Sequence, residues 1–216
     1  MAEAVQAVQD LTTEGRLTAI LKSLLDNPEF LRQAAGSSYT HDNGFDKILL
    51  AATPDGWRMR LHIWWPGRGV HTENIHNHRW DFASLLLSGS CRADYYGESP
   101  SGSELHAYTY VRGEGSAYQH HHVGMRRVVQ TMSATMQAGD SYVLTRALMH
   151  RIVTDRRKLL VTLMLHSPER AGSALTLTSA PTFQEPSSSP GRFTESQLRQ
   201  RLTDLLEQLL PADPTE

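Results

Sequence analysis

One cysteine, Cys91, is all that 216 residues contain. A lone thiol excludes an internal disulfide and a thiolate-built zinc cluster, so any metal must be held by histidine or carboxylate. An excess of charge is also lacking, since 21 basic and 23 acidic side chains leave a formal net charge of -2. Arginine pairs occur only at 126–127 and 156–157, too little for nucleic acid or an anionic membrane, so a small molecule or a protein is the expected partner. No window approaches the roughly 18 apolar residues that cross a bilayer. The opening "MAEAVQAVQD" has no basic stretch followed by an apolar one, and the expected setting is the cytoplasm. Repeats, a Gly-rich phosphate loop, a Ser-His-Asp series and paired carboxylates are all missing.

What is present suffices for one good core, with 39% hydrophobic residues. Leu17, Ile20, Leu21, Leu24, Leu25 and Leu31 recur at helical spacing over 14–34, interrupted near Asn27-Pro28, which predicts one or two opening helices. From 46 to 168 the texture turns to short β-rich runs separated by Gly, Pro, Asp and Ser. That many strands without helices between them predict a mainly β fold, a sandwich or an antiparallel barrel. "SAPTFQEPSSSPGR" reads as an exposed linker. After it Thr194 and Gln197 form a capping-box pattern, and Leu198, Leu202, Leu205, Leu206 and Leu209 form one stripe. That terminal helix packs on the barrel's flank or makes a homodimer contact. The expected division is a helical segment over 1–45 packed on a β-domain over 46–168, a linker over 169–193 and a helix over 194–210.

Eleven histidines are the unusual feature. In "IHNHRWDF", 75–82, alternation along a strand points His76 and His78 the same way, about 6.5–7 Å apart at Cα, close enough for both imidazoles to reach one ion. Trp80, Phe82, Ser84 and Leu86 continue that face as an apolar, dry wall, which strengthens metal–ligand electrostatics and keeps water off reactive species. A third ligand is best sought in "GDSYVLTRALMHRIVT", at His150. The competing reading is a pair of surface histidines.

Together the two segments resemble the motifs of the cupin superfamily, Gly-x5-His-x-His-x3/4-Glu-x6-Gly and Gly-x5-Pro-x-Gly-x2-His-x3-Asn. His76, His78 and Gly89 keep the spacing of the first, with Gly69 one residue too distant. Gly139 and His150 keep that of the second, with Thr145, Ala147 and Thr154 replacing Pro, Gly and Asn. The resemblance covers about 46–168 and implies a cupin double-stranded β-helix, a jelly-roll barrel flanked by N-terminal helices and a C-terminal helix. Phe82 stands where the superfamily has a glutamate ligand, leaving three neutral histidines. Asp81 points to the other face of a strand and is expected behind the site or at the surface. A three-histidine site resembles that of the thiol dioxygenases, of which cysteine dioxygenase is the best known. This implies ferrous iron, with an anionic substrate completing the charge balance. The Ser-x-His-x-Tyr arrangement of cysteine dioxygenase is replaced by "LMHRI", with Leu148 and Ile152 in place of the serine and tyrosine.

"WRMRLHIWW", 57–65, alternates strictly, with Trp57, Met59, Leu61, Ile63 and Trp65 on one face and Arg58, Arg60, His62 and Trp64 on the other. In thiol dioxygenases an early-strand arginine grips the substrate carboxylate, a task suited to the guanidinium fork. The resemblance gives that part to Arg60, with Arg58 as the alternative and His62 beside it; a solvated basic face is the competing reading. "YQHHHVG", 118–124, reads as an exposed loop, in which at most His120 and His122 share a side. If that loop folds over the barrel, His120 or Tyr118 supplies a proton. His41, His71, His106 and His166 stand alone, Cys91 reads as a buried inert thiol, and Tyr95, Tyr96, Tyr108 and Tyr110 as cross-strand packing.

The expected function is a mononuclear non-haem iron oxygenase acting with O2 on a small thiol or amino-acid-like substrate. His76, His78 and His150 hold the metal, Arg58, Arg60, Trp80 and Phe82 line the substrate site, and Arg60, His62, Tyr118 and His120 are the catalytic candidates. Zinc, manganese, nickel and copper also suit histidine. An O2-independent isomerase, lyase or hydrolase, or a non-catalytic ligand-binding barrel, are the alternatives.

Overall fold

A computed structural model describes residues 2–11, 15–112, 118–181 and 191–209. The leucine period of the opening segment becomes α2 (Arg16–Asp26) and α3 (Pro28–Ala35), preceded by α1 (Ala2–Asp10). Asn27 makes the break between α2 and α3. It is extended, its side-chain oxygen accepts the Phe30 N–H at 3.1 Å, and Pro28 occupies the first helical turn, where a missing N–H leaves no bond unmade. The capping box forms as expected at α4 (Glu195–Leu209): Thr194 N–H donates to Gln197 Oε1 at 2.9 Å, and Gln197 N–H to Thr194 Oγ1 at 3.1 Å.

Among the described residues, eleven strands make two antiparallel sheets. They are β1 (Tyr39–Thr40), β2 (Asp46–Ala52), β3 (Arg58–Trp64), β4 (Ile75–His76), β5 (Phe82–Ser88), β6 (Ser90–Arg112), β7 (Tyr118–Gln137), β8 (Ser141–Leu144), β9 (Met149–Thr154), β10 (Leu160–His166) and β11 (Ala174–Thr178). One sheet runs β1-β2-β3-β10-β5-β8 and the other β11-β4-β9-β6-β7. From β3 to β11 the chain passes back and forth between the sheets, except at the β6–β7 hairpin, which is the double-stranded β-helix or jelly roll.

Strand alternation sets what each face does. On β3, Leu61 and Ile63 are fully buried with Ala83, Leu85, Val161 and Leu163 against the helices, in one cluster with Leu21, Leu24, Leu31, Leu198 and Leu202. Arg58, Arg60, His62 and Trp64 face the space between the sheets, beside an inner cluster that includes Phe82, Leu86, Tyr95, Leu144, Leu160 and Met164. Burying each core leucine is worth about 1.5–3 kcal/mol. The stripe of α4 is therefore used inside the chain, on α2, α3 and the six-stranded sheet.

Three expectations are corrected. The sheet begins before residue 46, at β1, and the chain assigned to a linker over 169–193 contains β11, whose Leu177 is buried and which pairs with both β4 and β6; residues 182–190 lie outside the described residues. "YQHHHVG" is not a loop but the start of the 20-residue β7. Two of the short β-rich runs expected between 46 and 168, "ADYYG" (93–97) and "LHAYTYV" (105–111), are one strand, β6, because the turn signal between them is a bulge in which Glu98 and Ser103 both stand opposite Val128. Gly102 is required there, since a Cβ would strike the Val128 backbone. Gly89, with φ 79, makes the turn from β5 to β6, where a side chain would meet the Leu159 carbonyl.

Candidate metal centre

His76 ends β4 directly opposite His150 on β9. His78 follows where the chain leaves the five-stranded sheet to begin β5 in the other. Asn77 pins this crossing through two bonds to Leu175 on β11, donating its N–H at 3.0 Å and accepting with Oδ1 at 2.6 Å. Asp81 Oδ1 accepts the Arg146 N–H at 2.6 Å, so the carboxylate expected behind the site or at the surface ties the crossing to the turn before β9. A single strand from His76 to Leu86 is thus not what forms. The peptide groups of 77–81 bond across the two sheets instead, yet both histidines still converge.

The three imidazoles form a near-equilateral triangle, with ring centroids 5.0 Å apart for His76–His78, 4.7 Å for His76–His150 and 5.1 Å for His78–His150. Their ligating nitrogens lie within 4.8 Å of one another. Nε2 of His78 and Nε2 of His150 are 2.9 Å apart, near the spacing of two adjacent ligands each about 2.1 Å from one ion. His76 Nδ1 donates to the Asn74 carbonyl at 2.9 Å, which leaves its Nε2 lone pair for a metal. Burial, reinforced by neighbouring His76, holds the His78 and His150 imidazoles neutral, well below the ordinary histidine range. Nδ1 of His150 is buried without a hydrogen-bond partner among the described residues. A divalent ion suits this donor set better than a proton shared between neutral rings.

The cluster borders a cavity of about 540 Å³. Phe82, where cupins carry a glutamate, is 1% exposed and meets His78 edge-on at 5.0 Å. Trp80 lies 5.9 Å from His78 and stacks at 4.6 Å on His166. Across the cavity stand Arg58, Arg60 and His62 of β3, which settles the face of that strand, and Arg60 Nε lies 3.4 Å from His166 Nε2. His120 also lines the cavity, its ring 4.9 Å from Tyr110, whereas His122 pairs with His106 and Tyr108 farther along the hairpin. Tyr118 opens β7, and its side chain lies outside the described residues.

Sequence reasoning missed several cavity residues. His41, stacked on Phe45 at 4.6 Å, and His166 were single histidines without a partner in the sequence. Burial lowers both, His166 to about 3. Glu73 is 7% exposed in the cavity wall, where burial raises its carboxyl against the pull of His76 and a hydrogen bond from Asn43. No sequence spacing marks a buried acid in a loop. Cys91 is buried, and burial pushes its thiol up to about 12, consistent with an inert thiol.

No family model and no curated protein matches the chain. Solved structures do resemble it. An uncharacterized conserved protein with a double-stranded beta-helix domain from Klebsiella pneumoniae is 14% identical, with 63% of this chain and 87% of that one covered and a TM-score of 0.36. KdgF from Halomonas sp. is 16% identical over 61% and 88% of the two chains, TM-score 0.37. The polyketide cyclase RemF from Streptomyces resistomycificus is 13% identical over 69% and 82%, TM-score 0.38. The strand order itself makes the assignment. The fold is a double-stranded β-helix. Likeness at this identity does not extend to activity. Among the described residues, no helix is long and apolar enough to cross a membrane.

Proposed function

We propose that the chain is a mononuclear, metal-dependent cupin oxygenase that uses O2 on a small anionic substrate. The observation that carries this reading is the convergence of His76, His78 and His150 beside a cavity with a basic opposite wall. Ferrous iron bound there supplies the electrons that dioxygen activation requires. The protein's own groups do the rest. Arg60, with Arg58 beside it, anchors the acidic group of the substrate by charge-assisted hydrogen bonds. Phe82 and Trp80 keep water from the histidine cluster. His120 stands in the cavity wall where it can pass a proton to or from a bound substrate. His62 is held neutral by burial and by Lys47 and Arg60, and so acts as a hydrogen-bonding group.

The three neutral ligands also suit zinc with an activated water, so the metal decides the reaction class. Metal analysis of protein purified without a histidine tag, wild type against His76→Ala and His150→Ala, tests the centre. About one iron per chain, lost in both variants, and O2 uptake with small acids or thiols support the oxygenase. Zinc with turnover but no O2 uptake moves the protein to the hydrolase or lyase class. A wild type that takes up no divalent metal refutes the centre.

A further inference from the structure

The lining of the cavity beside the histidine cluster carries buried polar atoms that the fold itself does not satisfy. Nε1 of Trp64, Nε1 of Trp80 and Nε2 of His62 are all buried and have no hydrogen-bond partner among the described residues. All three residues line the cavity, and His62 and Trp64 are 6% and 7% exposed. An indole N–H only donates, and leaving one buried and unmet costs stability, so natural folds contain few. Two in one cavity, with an imidazole nitrogen beside them, mark a surface built for something that supplies acceptors. The charges on this wall agree, since Lys47, Arg58 and Arg60 are all cationic. An ammonium beside β3 would meet like charge. The ring surfaces and the volume set the size, because Phe45 stacks on Trp64 at 4.5 Å and about 540 Å³ falls in the range of pockets that enclose ligands larger than a small amino acid.

We propose that the cavity selects an oxyacid: a carboxylic acid on a ring-sized frame bearing a hydroxyl or oxo oxygen, with Trp64 and Trp80 as the specificity-determining donors. The carboxylate engages the β3 arginines, and the second oxygen accepts from the indole N–H groups while a hydroxyl hydrogen is taken by Nε2 of His62. This refines the substrate of the metal-enzyme reading above and turns away from an aminothiol, whose ammonium would meet the like charge of Lys47, Arg58 and Arg60.

The test is calorimetric titration of the full-length protein, metal-free and metal-loaded, with 2-, 3- and 4-hydroxybenzoate, benzoate and L-cysteine. At least one hydroxybenzoate is expected to bind about tenfold or more tightly than benzoate, the size of effect one satisfied buried donor gives. Trp64→Phe keeps the ring and removes the donor; it should erase the difference between hydroxybenzoate and benzoate, as should Trp80→Phe if Trp64→Phe does not fold. The proposal is overturned if benzoate matches every hydroxybenzoate, if the Phe variants weaken all acids alike, or if cysteine binds best. Because the preference lies in the wall, the metal-free protein shows it even if metal analysis refutes the catalytic centre.

Discussion

Acidification should unfold the metal-free protein far sooner than its carboxylates alone would require. His62, His150 and His166 are buried at 6%, 3% and 2% exposure, and burial lowers all three below the ordinary histidine range, His166 to about 3. The unfolded chain takes up these protons near pH 6.5 and the folded chain does not, so folding becomes less favourable as pH falls below 6.5. Each such group contributes a slope of up to about 1.4 kcal/mol per pH unit, and three contribute up to about 4 kcal/mol per unit. Against a total stability of about 5–15 kcal/mol, most of the fold is lost within two to three units. For His166 the loss continues down to about pH 3. Urea unfolding followed by far-UV circular dichroism at half-unit steps from pH 7.5 to 5 reads the slope directly. A stability flat between pH 6.5 and 5.5 would refute the reasoning, since it would mean that these rings are protonated in the folded protein or open to water.

Further perturbations probe other parts of the structure. Phe82→Glu places a carboxylate beside the three histidines, where it is expected to cost about 3 kcal/mol or more without metal and to be rescued by added zinc or ferrous iron. Melting with and without metal reads this, and no rescue would show that position 82 does not reach the cluster. Leu202→Ala in α4, at a fully buried site, should cost about 2–5 kcal/mol in denaturant unfolding. A loss below 1 kcal/mol would mean that α4 is not part of the core. Asp94, fully buried, accepts from Arg92, Ser133 and Arg151 at 2.8–3.3 Å. Asp94→Ala should lower stability by about 2 kcal/mol, and an unchanged midpoint would contradict the hydrogen-bonded arrangement.

Short-range pattern alone determined much of this protein. The period-two alternation of 57–65 separates Leu61 and Ile63 from Arg58, Arg60 and His62 whatever the strand packs on, because successive side chains of a strand point oppositely. The leucine stripes of α2 and α4, the Asn27-Pro28 break and the Thr194–Gln197 box are likewise local, written within three or four residues of one another. Two histidines one residue apart and a third in a Gly-led segment were enough to pick out His76, His78 and His150.

Only the tertiary structure decided where those pieces meet. His78 and His150 are 72 residues apart, and no local spacing says that their nitrogens approach to 2.9 Å. The crossing at 77–81 depends on bonds to Arg146, 65 residues from Asp81, and to Leu175, 98 residues from Asn77, the second in a segment that read as a linker. The same holds for Glu73, His41 and His166, which become cavity residues only because the sheets close around them. Spacing along the chain reports which side a residue faces, but pairing between distant strands determines what stands opposite it.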